Sequence, residues 1–112
     1  MQVIRIYTGD DQETHFEELD VETFKAIATH PGEGPIGCNT GPGEFFQDWH
    51  NAPRRQYVMV LAGGMEIETG HGEKCVLKTG DVLVAEDVTG KGHITRGIGA
   101  APRVTVSVPM PG

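Results

Sequence analysis

Gln56-Tyr57-Val58-Met59-Val60-Leu61-Ala62-Gly63-Gly64-Met65-Glu66-Ile67-Glu68-Thr69 is the stretch on which the fold of this chain turns. Its first half is a run of β-branched, aromatic and other apolar side chains, the composition of a strand covered on both faces. Gly63-Gly64 then reads as the dipeptide of a tight hairpin turn. Met65 to Thr69 alternates apolar and polar residues with a period of two, so one side of that strand is buried and the other wet. Within the first strand Arg54, Gln56, Val58 and Val60 share one face, and Arg55, Tyr57, Met59 and Leu61 share the other. A barrel interior accounts for one apolar face. A partner subunit or the N-terminal segment is needed for the other, and on that ground a homodimer is expected.

Working outward, Gly70-His71-Gly72 turns the chain into a strand over residues 74–77, and Thr79-Gly80-Asp81 turns it into another over 82–86. A loop over residues 87–92 leads to a strand starting near His93. Beyond the loop at 97–102, Val104-Thr105-Val106-Ser107-Val108 alternates strictly as a last strand. Toward the N-terminus, Val3 to Tyr7 is a strand stopped by Thr8-Gly9-Asp10-Asp11, whereas residues 15–27 suit either short strands or a turn or two of helix. About eight to ten strands and few or no helices result. The prediction is a single all-β domain over residues 1–112, with a barrel core at about 43–108 and N-terminal strands in 1–42.

The bulk properties narrow the partners. With 112 residues the chain is long enough to bury a core without staples, and 16 glycines with 7 prolines suit many short strands joined by turns. A net charge of −7 argues against nucleic acid and anionic membrane, both of which require clustered cations. No basic leader followed by an apolar stretch is visible and no run approaches a bilayer span, so a cytoplasmic protein is expected. Cys38 and Cys75 make no CxxC, and two reduced thiols are expected.

Two histidines are the chemical centre. His50 stands in Trp49-His50-Asn51-Ala52-Pro53-Arg54-Arg55, just ahead of the decisive strand, and His93 closes the segment that begins at Gly80-Asp81. Strand folding can bring such distant imidazoles together, and a pair of them suits a divalent metal. Beside them, Arg54 is a candidate to clamp a substrate carboxylate and Glu86 a candidate general base. The competing reading of both is a salt bridge from Arg54 or Arg55 to Glu86 or Asp87, fastening loop to strand. Trp49 and Tyr57 are candidate pocket walls, with packing as their alternative.

These residues resemble the cupin superfamily of small double-stranded β-helix or jelly-roll barrels. Its first motif joins a glycine, a His-x-His, a glutamate and a closing glycine; Gly43 to Gly63 or Gly64 follows that frame, with His50 at the first histidine, Ala52 at the second and Gln56 at the glutamate. Its second motif begins at Gly80-Asp81, has Glu86 in place of the proline, and places His93 at the histidine. The resemblance covers about residues 43–97. It implies a jelly-roll barrel and a metal site of His50, His93 and Gln56, holding manganese, iron, nickel or zinc. The missing histidine and the neutral amide lower the charge offered to a cation. It further implies a small cupin enzyme acting on an oxygen-rich or acidic small molecule, by dioxygenase, isomerase, decarboxylase or lyase chemistry. The alternative is a ligand-binding or sensor cupin without a tightly held metal.

Other motifs carry less. Thr89-Gly90-Lys91-Gly92 lacks the glycine and the hydroxyl residue of a phosphate loop. His15, His30 and His71 read as surface histidines, with His15 the least secure of these. Ser107, the only serine, has no nucleophile motif around it.

Overall fold

The computed structural model describes residues 1–112. Ten strands and one helix follow in the order β1 (Val3–Thr8), β2 (Thr14–Leu19), α1 (Val21–Thr29), β3 (Gly37–Gly41), β4 (Phe46–His50), β5 (Gln56–Ala62), β6 (Met65–Glu68), β7 (Lys74–Leu77), β8 (Val82–Glu86), β9 (His93–Gly97) and β10 (Arg103–Pro109). One sheet has the order β2-β1-β8-β5-β10-β3 and the other β4-β9-β6-β7. Setting aside β1 and β2, each sheet holds four antiparallel strands, and the chain passes back and forth between the two. That interleaved pair of four-stranded sheets is the jelly roll, and it confirms the expected all-β double-stranded β-helix. β1 extends the first sheet by pairing parallel to β8, and β2 folds back on β1. No helix is long and apolar enough to cross a membrane.

The Gly63-Gly64 reading requires correction. β5 and β6 do not pair; they belong to different sheets, so the dipeptide is a corner between sheets and not a hairpin turn. Gly63 has φ +73°, and a side chain there would crowd Pro102 and Arg103. The sharp corner needs a glycine for the same reason that a hairpin does, which is why the two look alike in sequence. Gly70-His71-Gly72, by contrast, is a true hairpin connection between β6 and β7, closed by Thr69 N–H donating to the Glu73 carbonyl at 2.9 Å.

The ambiguous stretch 15–27 resolves into a strand followed by a helix. Asp20 caps α1, its carboxylate accepting from Thr23 N–H at 2.7 Å. Phe24, Ile27 and Ala28 fall on one helical face, and His30 before Pro31 ends the helix because the proline ring disfavours helical geometry in the preceding residue. This face lies on the outside of the first sheet, against Tyr57, Val82, Val84 and Val108, with Phe24 and Tyr57 edge to face at 5.1 Å. The N-terminal segment therefore covers Tyr57 and Met59 on the second apolar face of β5, while Leu61 on the same face stays 53% exposed. A separate core of Ile4, Ile6, Val60, Met65, Ile67, Leu77 and Leu83 fills part of the barrel interior between the sheets.

Candidate metal centre in the barrel

His50 ends β4 and His93 begins β9, and the antiparallel register sets them directly opposite one another. Their ring centroids are 4.3 Å apart. This pairing explains how two residues 43 positions apart meet at one point. Gly92 permits it: any Cβ there would collide with the His50 carbonyl.

Each ring is held through Nδ1. His50 Nδ1 donates to the Asp48 carbonyl at 2.8 Å, and His93 Nδ1 donates to Asp87 Oδ2 at 2.5 Å. Neither Nε2 makes a hydrogen bond within the protein, so both are unengaged. That is the arrangement by which a second group orients a histidine toward a metal. Asp87 is fully buried; its Oδ2 also accepts from Thr14 Oγ1 at 2.9 Å, while Oδ1 has no partner. The loop that carries Asp87 is fastened by Asn51 Nδ2, which reaches the carbonyls of Asp87, Thr89 and Gly90. Burial pushes the His50 imidazolium to a lower pKa; the nearby His93 adds to this, and the Asp48 carbonyl and Asp87 only partly oppose it. His50 is thus the neutral ligand that a metal requires at neutral pH.

The two histidines line a cavity of about 720 Å³, within the range of small-molecule sites. Val58, Ile67, Leu83 and Ala85 give it an apolar floor, and Gln47, Gln56, Thr95, Arg103, Thr105 and Ser107 give it polar groups. No Asp or Glu lines it.

The other expected site residues divide. Gln56 reaches the cavity, but its Oε1 accepts from Arg54 Nε at 3.0 Å, leaving one lone pair for anything else. Arg54 is not in the lining; it spans Gln56 and the Pro35 carbonyl, fastening the loop at 30–35 to the strand. Glu86 faces away from the cavity, since Ala85 beside it points in. It is bound by Arg5 at 2.9 Å, a pairing the sequence did not suggest, and by Arg55 at 2.7 Å, which is the loop-to-strand salt bridge anticipated as its alternative. Burial raises its pKa, but the two guanidiniums outweigh this and hold the carboxyl below the usual range, the opposite of what a general base at neutral pH requires. Tyr57 is packed under α1, and Trp49 is 47% exposed outside the cavity.

Three residues escaped the sequence reading. Asp87 reads in sequence as an arginine partner, yet Leu83, Ala85 and Asp87 share one face of an extended segment and so point inward together. Gln47 and Arg103 carried no motif. Arg103 stands two and four residues before Thr105 and Ser107, on the polar face of a strictly alternating strand. Its guanidinium lies 3.7 Å from the centre of the Phe45 ring, and its Nε is buried without a partner. Cys38 and Cys75 are both free thiols, as expected.

The donor set fits a transition-metal ion in part: two imidazoles oriented through Nδ1 and an amide oxygen, with no anionic ligand. No family model matches the chain, and no curated protein does. Among solved structures, one assigned as ethanolamine utilization protein Q from Salmonella typhimurium aligns over 100% of this chain and 98% of its own, at 15% identity and a TM-score of 0.41. A likeness that loose adds nothing to the strand order, on which the jelly-roll assignment rests.

Proposed function

We propose that this chain is a small cupin that binds an oxygen-rich or acidic small molecule in its barrel and acts on it with a divalent transition metal held by His50 and His93. The observation that carries this reading is the pair of adjacent imidazoles, each pinned through Nδ1 so that Nε2 is free beside a cavity of ligand size. Gln56, through the free lone pair of its amide oxygen, is the third candidate ligand. Such an ion would supply Lewis-acid polarisation of a carbonyl, enol or hydroxyl oxygen. The chain's own groups do the rest. Arg103 orients an acidic group of the ligand, the role first expected of Arg54, because Arg103 lines the cavity and Arg54 does not. Asp87 keeps His93 in the tautomer that leaves Nε2 unprotonated.

A second reading, a binding or sensor protein without a tightly held metal, is favoured by one observation: no carboxylate lines the cavity to offset a cation's charge. Metal analysis of tag-free protein purified without chelator separates the two. Near-stoichiometric manganese, iron, nickel or zinc that is lost in His50→Ala supports the metalloenzyme. Metal-free protein that shows no thermal shift with any of the four and no change in His50→Ala overturns it. In the same assay Gln56→Glu tightens divalent binding if residue 56 is a ligand, since the new group brings a negative charge.

A further inference from the structure

Outside the barrel site, the turn between β1 and β2 meets the turn between β6 and β7, and three metal-ligating side chains converge there. Asp11 and His15 come from the first turn and strand, His71 from the second. One ligand atom from each lies within 4.8 Å of the other two. His15 Nε2 is 2.9 Å from the Asp11 carboxylate, and His71 Nε2 is 3.3 Å from Asp11 Oδ2. The imidazole rings are 5.5 Å apart.

We propose that Asp11, His15 and His71 form a second divalent-metal site, of the imidazole-preferring class to which zinc belongs, which braces the two sheets of the barrel against each other. Two imidazoles and one carboxylate are a ligand set for such an ion, with the fourth position open to solvent. Both rings turn the same nitrogen, Nε2, toward one carboxylate, so a single cation between them replaces two shared protons. The carboxylate is already oriented, because Asp11 Oδ1 accepts the Glu13 N–H at 3.0 Å. Gly9 leaves the space for the His15 ring: a Cβ there would stand 2.8 Å from His15 Nε2 and 3.0 Å from Asp11 Oδ1. Lys91 does not compete for the centre, since it pairs with Glu13 Oε1 at 2.8 Å. All three side chains are 31 to 48% exposed, which gives an ion its path in.

The topology gives the site a structural role. β1 and β2 belong to one sheet, β6 and β7 to the other, and β2 and β7 are edge strands of their sheets. An ion at this position therefore links two edges that share no backbone ladder.

Zinc titration by calorimetry, with the melting temperature followed in parallel, tests the site on tag-free protein. His71 is the residue to change first, because it is exposed and its polar contact is with Asp11. His15 is less suitable, since its neighbour Thr14 holds Asp87 in the barrel site. The parent binds zinc and its melting temperature rises with it. In His71→Ala and His71→Gln the zinc-free melting temperature is unchanged, and one equivalent of zinc is lost or weakened by about tenfold or more. His50→Ala retains that equivalent, which separates this site from the barrel histidines. If both His71 variants bind zinc with the parent's stoichiometry and affinity, or if His50→Ala alone removes all zinc, the proposal is overturned.

Discussion

The two faces of the β8-β5-β10 sheet are built from alternate residues of the same strands, yet they do opposite work. Outward, Tyr57, Val82, Val84, Val106 and Val108 form a dry layer sealed by α1. Inward, Gln56, Thr105 and Ser107 face the cavity beside Val58, Leu83 and Ala85. On β10 the usual assignment is inverted: the valines face the outside of the barrel and the hydroxyl residues its interior. Alternation alone tells which residues travel together. Which set faces the cavity depends on what covers the sheet, and here a helix covers the outside.

Residues packed under α1 should therefore serve stability alone, whereas the inner face carries both the ligand chemistry and the larger of the two cores. The sharpest test is Tyr57→Ala, which removes a buried ring from the α1 interface and should cost about 3–5 kcal/mol in denaturant unfolding. Binding by the fraction still folded should be unchanged, and a weakened site in fully folded protein would break the division. Next in size is Asp87→Asn, where the division is predicted to fail, because Asp87 serves both stability and site. Losing charge-assisted bonds to His93 and Thr14 should cost about 2 kcal/mol, and metal affinity should fall by about 10- to 100-fold. A loss of stability with unchanged affinity would show that Asp87 does not orient His93.

Glu86→Gln is a smaller perturbation of the outer face, about 1–2 kcal/mol from the paired guanidiniums of Arg5 and Arg55, with no effect on any turnover. A large fall in turnover without a fall in stability would return Glu86 to the list of catalytic groups. The smallest effect is a pH dependence at His50. Its folded pKa lies below its unfolded value of 6.5, so its contribution to stability is present above that pH and is lost as the pH falls toward the folded pKa. The acid limb of the unfolding profile should flatten in His50→Gln over that window, and an identical profile would remove His50 as its source.

The residues that reason best from sequence are those with a geometric excuse for their identity. His50 and His93 were legible because each sits at a strand end beside recognisable turns, and the register sets them opposite. Gln56 and Tyr57 were both placed at the pocket, although neighbours in a strand point to opposite faces; the structure keeps Gln56 in the lining and puts Tyr57 under the helix. Asp87 was hidden because a carboxylate after a strand resembles any surface acid until its partner is known. His15 and His71 looked like isolated surface histidines for a related reason: they are 56 residues apart, one on a strand of the first sheet and the other in a turn of the second.

β3 and β4, at 37–41 and 46–50, were not readable in the amino-acid order, whereas most strands from residue 56 onward, most of the turns and the two histidines that meet at the cavity were. These follow from local properties: side-chain period, glycine and proline punctuation, and β-branched content. Strand pairing in space was needed to show that Gly63-Gly64 is a corner between sheets, that α1 packs on the outer face, and that Asp87 belongs to His93 while Glu86 belongs to two arginines. Each of these depends on which strands become neighbours. Such long-range pairings depend on the joint burial of segments far apart in the chain, and no single segment records its eventual partner.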